Sequence, residues 1–144
     1  MQKIHALIHR LHNPDFGILL VRIVLGLAFM HAGWFKITHV DMIVGGFAMM
    51  GIPAVLAYFV TYAEFVCGLL MIIGIFVRYA GIVLASIMVV AIAKVHFPNG
   101  YGMMNGVLEG KGGGYEYVLA LLLLSVAMVT FGAGAYSLAR VLKK

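Results

Sequence analysis

Seven ionisable side chains lie inside or at the ends of long apolar runs, where a charge is costly if the run crosses lipid. They are Arg22, His31, Lys36, Glu64, Lys94, His96 and Glu116. Residues of this kind usually face the interior of a helix bundle and mark a binding site or a proton pathway. We therefore take them as candidate ligand-binding or proton-relay residues, and assign no catalytic role to any of them.

The residue types suit a ligand that has a polar head and an oily body, and a quinone has that shape. Quinone carbonyl oxygens accept hydrogen bonds from His, Lys or Tyr side chains, and a carboxylate can relay the protons that reduction requires. The same groups can also bind a small weak acid or conduct protons, so these possibilities stay open. The chain has no motif for covalent cofactor attachment. Any electrons must therefore come from a partner protein or a diffusible carrier.

The apolar runs that carry these residues are long enough to cross a membrane. The chain has 144 residues, of which 64% are hydrophobic and 10% charged, and its mean hydropathy is +1.08. A soluble domain of this size would expose far too much apolar surface. We predict one all-α integral membrane domain, residues 1–144, built as a four-transmembrane-helix bundle. The predicted helices are approximately 16–36, 54–77, 79–96 and 115–132.

Basic residues are distributed unevenly around these helices. Six of them precede the first helix, lie in the turn after the second or follow the fourth: Lys3, Arg10, Arg78, Arg140, Lys143 and Lys144. By the positive-inside rule, this places both termini in the cytoplasm. The net charge of +5 is thus a sign of membrane topology, and we expect no nucleic-acid partner.

The predicted topology brings most of the candidate residues to the outer half of the membrane. These are His31, Glu64, Lys94, His96 and Glu116, and we expect them to line a polar pocket. Arg22 falls in the inner half, and Lys36 falls at the outer end of the first helix.

Two simpler interpretations of the same residues stay open. Lys94 can pair with Glu116, and either Arg22 or His31 can pair with Glu64, as ion pairs that fix helix order. Residues near the helix ends can instead extend to water by snorkelling.

Local signals place the turns and the close helix contacts. Asp15 is expected to cap the first helix, and Asp41 a short helix through Met42–Met50. Gly26 and Gly33 lie seven residues apart on one face of the first helix, which predicts close packing against a neighbour.

Three histidines near the N-terminus, His5, His9 and His12, have a spacing that metal ligands can use. They belong to an amphipathic stretch, Lys3–His12, that we predict to be an interfacial helix on the inner membrane surface. The wet face of such a helix explains the histidines, so we predict no metal site. Cys67 is the only cysteine, which excludes an intramolecular disulfide.

An ordered set of short motifs runs along nearly the whole chain. It comprises Leu20–Lys36, Gly46–Phe47, Met50–Ala54, Glu64 with Gly68, Gly74–Arg78, Lys94–His96, Gly114–Tyr117 and Gly132–Leu138. Together these motifs resemble the DoxX family. The polar or glycine positions that match the family pattern are Arg22, His31, Gly33, Lys36, Glu64, Arg78, His96 and Glu116. Ala139 departs from the pattern, because many members have an acidic residue there.

The resemblance implies a multi-pass protein of a bacterial or archaeal plasma (inner) membrane, associated with redox complexes and quinones. Our first hypothesis is a redox-linked membrane subunit that binds a quinone in the outer-half pocket and works with a soluble or membrane redox partner. The alternatives are a non-enzymatic carrier of a small solute, and an anchor for soluble redox proteins. An enzymatic role as a quinone-linked oxidoreductase subunit stays open. Many small residues in short helices predict self-association, with a homodimer as the default.

Overall fold

The computed structural model describes residues 13–105, 107 and 113–142, and these form helices joined by short turns. The α-helices within this part of the chain are α1 (Pro14–Thr38), α2 (Val40–Met49), α3 (Ala54–Ile73), α4 (Val77–Ala91), α5 (Glu116–Phe131) and α6 (Leu138–Val141). The predicted interfacial helix and the histidines His5, His9 and His12 lie outside the described residues. The all-helical prediction is confirmed for the part that is described.

Three helical segments are long and apolar enough to cross a membrane. They are α1, α3 and Val77–Asn99, in which α4 continues through a π-helical turn (Ile92–His96) and a 3-10 turn (Phe97–Asn99). Helix α5 has 16 residues and is about 24 Å long, less than the hydrocarbon thickness of about 30 Å. The chain is therefore a membrane protein with three candidate spans in its described residues, and the fourth span stays a prediction.

The turn between α3 and α4 lies at residues 74–76 and not around Arg78, which falls in the first turn of α4. Gly74 ends α3 in the left-handed conformation, with φ of +80°, where a side chain would be strained. A Cβ atom at Gly74 would also lie 2.7 Å from Nη1 of Arg22. Glycine is needed here for both reasons.

Helix α1 is capped by Asn13, whose side-chain Oδ1 accepts a hydrogen bond of 3.1 Å from the backbone N–H of Phe16. The prediction that Asp15 is the cap is wrong. Asp15 Oδ1 instead accepts a hydrogen bond of 2.7 Å from the backbone N–H of Ala135. Asp41 likewise lies in the first turn of α2, where His39 holds the cap position without a side-chain hydrogen bond. A carboxylate in a first turn still has a favourable interaction with the helix dipole.

Helices α1 and α3 make the most extensive contact in the described structure, and glycine allows it. A Cβ on Gly33 would lie 2.5 Å from the backbone N of Phe65, and one on Gly26 would lie 2.8 Å from the carbonyl O of Gly68. Gly68 in turn faces the backbone of Met30. The close packing predicted from Gly26 and Gly33 is confirmed.

We expect Gly33→Ala to destabilise the protein by about 1–3 kcal/mol, because the new methyl group meets the backbone of α3 and the helices must separate. Gly17→Ala is the matched control, since a Cβ there has no atom within 4 Å. Unfolding by SDS in mixed micelles, followed by circular dichroism, measures both. Equal stability of the two variants would contradict the close contact.

The remaining helices complete the bundle by packing in chain order. Helix α4 packs on α3 and α5, and α5 also contacts α1. The buried apolar residues at the centre are Leu25, Phe29, Cys67, Met71, Val77, Ala80, Leu84, Ile87, Met88, Val118 and Met128. The beginning of α1 and the segment after α5 meet at one end of the bundle, where Asn13 Nδ2 donates to the hydroxyl of Tyr136 over 3.2 Å. The assignment of this end to the cytoplasm stays a prediction.

Candidate functional site

A buried ion pair joins α1 to α3. The ammonium Nζ of Lys36 lies 2.5 Å from Oε1 and 2.6 Å from Oε2 of Glu64. The Glu64 side chain is 2% exposed, whereas that of Lys36 is 25% exposed. The pair is the one ion pair that the described residues make within 4.0 Å. Both oxygens of the buried carboxylate therefore have a partner, and the ammonium retains an edge open to the surroundings.

The close contact between α1 and α3 explains how Lys36 reaches this position. Residues Gly26, Phe29, Gly33 and Lys36 follow one another at intervals of three or four, so they share a face of α1. Because Gly33 lies against Phe65, the next residue on that face falls beside Glu64. The two helices run antiparallel here, since Gly26 lies against Gly68 while Gly33 lies against Phe65.

The ion pair has aromatic and polar neighbours on the same helices. The ring centroids of Trp34 and Phe65 lie 6.0 Å apart. Trp34 is two residues before Lys36 in the chain, and Phe65 directly follows Glu64. One helical turn before Glu64, the buried hydroxyl of Thr61 donates to the carbonyl of Ala57 over 2.8 Å. An ammonium has three N–H donors, and two of them suffice for the two carboxylate oxygens. Lys36 thus has one donor left for another acceptor.

Neither of the two alternative partners of Glu64, Arg22 or His31, pairs with it, since both carboxylate oxygens accept from Lys36. His31 is exposed on α1 and makes no hydrogen bond or ion pair with the residues that the structure describes. Lys36 was expected to lie at the outer end of the first helix. The sequence also places it on the face of α1 that carries Gly26 and Gly33, and this position could have predicted its contact with α3.

Arg22 is part of a separate cluster at the end of the bundle where α1 begins. Arg22 is 2% exposed, and its guanidinium donates to the carbonyl of Ala133 and, over 2.7 Å, to the carbonyl of Tyr136. It lies 14 residues before Lys36 on α1, a distance of about 21 Å along the helix. Arg22 therefore holds the segment after α5 against α1, far from the Lys36–Glu64 pair.

Lys94, His96 and Glu116 lie at or near the loop that joins α4 to α5. His96 Nδ1 lies 2.7 Å from the carbonyl of Gly113. The Glu116 carboxylate is exposed and accepts a hydrogen bond of 3.1 Å from the backbone N–H of Met103. Lys94 is exposed and makes no ion pair with Glu116, so the alternative interpretation of these two residues as an ion pair does not hold. His96 and Glu116 both bind loop backbone, so each ties the loop to the helix end from which it projects.

A surface hollow lies beside the π-helical turn, and its lining is apolar. Val89, Ile92, Ala93, Phe97 and Leu122 surround it. None of the seven candidate residues lines this hollow. In the described part of the chain, no group of three or more His, Cys, Asp or Glu side chains lies close enough to hold a metal ion.

Comparison with known proteins identifies the family. The DoxX family model matches residues 17–97, more than half of the chain, and this range includes the whole Lys36–Glu64 site. No curated protein and no solved structure matches the chain. Because the matched range covers more than half of this helical membrane chain, the protein belongs to the DoxX family.

Proposed function

We propose that this protein is a membrane subunit of a redox-linked system in a prokaryotic plasma membrane, and that it binds a quinone or a similar small molecule beside Lys36 and Glu64. The observation that supports this most is the exposure difference within the pair. Glu64 is buried, while Lys36 is a quarter exposed and has a donor to spare. An intramembrane ion pair that is open on its cationic side suits a ligand with a polar acceptor and an apolar body.

The residues of the chain would bind and orient the ligand. The free N–H of Lys36 donates to one carbonyl oxygen of the quinone ring, a charge-assisted hydrogen bond. The Phe65 ring, next to Glu64 in the chain, offers aromatic surface against which the quinone ring can pack. When Lys36 turns toward the ligand, the Glu64 carboxylate can take up a proton from water and then pass it to a reduced quinone oxygen. The electrons come from a soluble or membrane redox partner, because the chain has no covalent cofactor motif.

Trp34 provides a built-in probe, because it is the only tryptophan in the chain and lies two residues from Lys36. We expect a short-chain quinone to quench its fluorescence saturably in lipid nanodiscs. Lys36→Gln should weaken the apparent affinity about tenfold, the effect of losing one hydrogen bond from a charged group. Glu64→Gln should weaken it by a similar factor. Arg140→Gln and Asp41→Asn are matched controls of the same chemistry at exposed positions, and should leave the affinity unchanged.

Quenching that does not saturate, or that is identical in all five proteins, would contradict quinone binding at this pair. Uptake of a small solute into proteoliposomes that depends on Glu64, without saturable quenching, would support the carrier alternative. The anchor alternative would be supported if Lys36→Gln and Glu64→Gln both still retain a soluble redox protein, and if removal of residues 136–144 abolishes that retention.

A further inference from the structure

Helix α1 has a second regular face, opposite the glycine face that packs on α3. Its members recur at alternating intervals of three and four residues, and all of them are exposed: Gly17, Leu20, Val24, Leu27, His31, Trp34 and Thr38. We call these residues the outer seam of α1. An average interval of 3.5 residues is the repeat along which two helices remain in contact as they wind around each other. The outer seam runs about 32 Å, the full thickness of the hydrocarbon layer.

His31 is the one residue of the outer seam that a lipid contact does not explain. It lies seven residues before the end of α1, about 10 Å inside the helix. Its flanking seam residues are apolar, with Leu27 49% and Trp34 57% exposed. Within the described part of the chain its imidazole has no hydrogen-bond partner. A polar group that faces hydrocarbon without a partner costs free energy, so a partner of matching chemistry is expected beyond the described residues.

We propose that a second copy of this chain packs on the outer seam, with the two His31 side chains hydrogen-bonded across a twofold axis. A twofold axis brings each residue near its own symmetry mate. A neutral imidazole carries one N–H donor and one N acceptor, so histidine is complementary to itself, whereas a lysine or glutamate would repel its copy. Leu20, Val24 and Leu27 then pack along the same seam as apolar knobs.

Cysteine crosslinking tests the seam directly. Cys67 is the only native cysteine, so Cys67→Ala gives a cysteine-free background. Leu27→Cys and Val24→Cys in this background should form disulfide-linked dimers when membranes are oxidised at a high ratio of lipid to protein. Leu123→Cys on α5 is the control, because Leu123 is 60% exposed but lies on another helix. Crosslinking of Leu123→Cys that equals that of Leu27→Cys, or a Leu27→Cys link to a different protein only, would overturn the proposal.

Substitution of His31 separates its hydrogen bond from simple apolar packing. His31→Leu should weaken the dimer about tenfold in a dilution series followed by energy transfer between labelled copies, since interhelical hydrogen bonds in membranes contribute at this level. His31→Asn should restore association, because an amide is also both donor and acceptor. An unchanged dimer in His31→Leu would overturn the histidine contact. Quinone affinity at Lys36 should be the same in His31→Leu, so the two proposals fail separately.

Discussion

Replacing Lys36 with methionine is expected to lower the free energy of unfolding by about 3 kcal/mol. The substitution leaves the Glu64 carboxylate buried without a partner, and removal of one member of a buried ion pair commonly costs this much. Glu64→Leu should cost less, about 1 kcal/mol, because the remaining Lys36 is a quarter exposed and can extend its ammonium to water. The unequal exposure of the two side chains thus predicts an unequal effect of their loss.

The double variant Lys36→Met with Glu64→Leu is the decisive comparison. Replacing both charges by apolar groups of similar size is often neutral, so we expect it to recover most of the stability lost in Lys36→Met. Lys94→Met serves as the control for loss of a lysine, because Lys94 is exposed and makes no ion pair with the described residues. SDS unfolding in mixed micelles gives the free energies of unfolding of the wild type, the two single variants, the double variant and Lys94→Met. Additive losses in the double variant would show that the two groups do not interact.

Arg22→Met is expected to release the segment after α5 and to lower stability by about 3 kcal/mol. The guanidinium makes two hydrogen bonds to backbone carbonyls, of Ala133 and Tyr136, and bonds to a charged group contribute about 1.5–3 kcal/mol each. Methionine would leave both carbonyls unpaired, and it would fill only part of the space beside Gly74. Loss of these hydrogen bonds should first loosen residues 133–137 and then lower the stability of the whole bundle.

Trypsin provides a local readout of this contact, because Arg140 is exposed a few residues beyond the held segment. We expect cleavage after Arg140 to accelerate about tenfold or more in Arg22→Met, as the loss of more than about 1.4 kcal/mol of local stability implies. Arg78→Met is the control for loss of a guanidinium, since Arg78 is exposed and makes a single long hydrogen bond of 3.3 Å to the carbonyl of Thr130. Faster cleavage in both variants would indicate a general loosening instead.

The Lys36–Glu64 pair and the Arg22 cluster show different uses of charge within one membrane domain. At Arg22 the donors bind backbone carbonyls beyond α5, and the Nε atom of the guanidinium has no hydrogen-bond partner among the described residues. At Lys36 the charge is matched by a carboxylate, and one side of the ammonium is exposed. The first arrangement holds a chain segment in place, whereas the second can exchange a partner. Of the two, only the Lys36–Glu64 pair therefore has a charged donor available to a ligand.

Local sequence is enough to predict the helical class, the membrane location, the family and the glycine contact of α1. Each of these follows from the length of an apolar run, from a residue's spacing within one helix, or from an ordered set of motifs. The seam that runs through Gly26 and Gly33 is visible in the sequence because helical periodicity is a property of neighbouring residues. The end of α5 at Gly132 follows from the glycines there.

Tertiary structure alone decided which charged groups meet. Lys36 and Glu64 are 28 residues apart, and Arg22 and Ala133 are 111 apart. Such contacts depend on how each helix is rotated about its axis and how far it is shifted along its neighbour, and these are set by packing of the whole core. The sequence therefore identified the charged residues within apolar runs, but not their partners. The close approach of Gly33 to Phe65 sets the rotation of α1, which places Lys36 beside Glu64 and turns His31 outward.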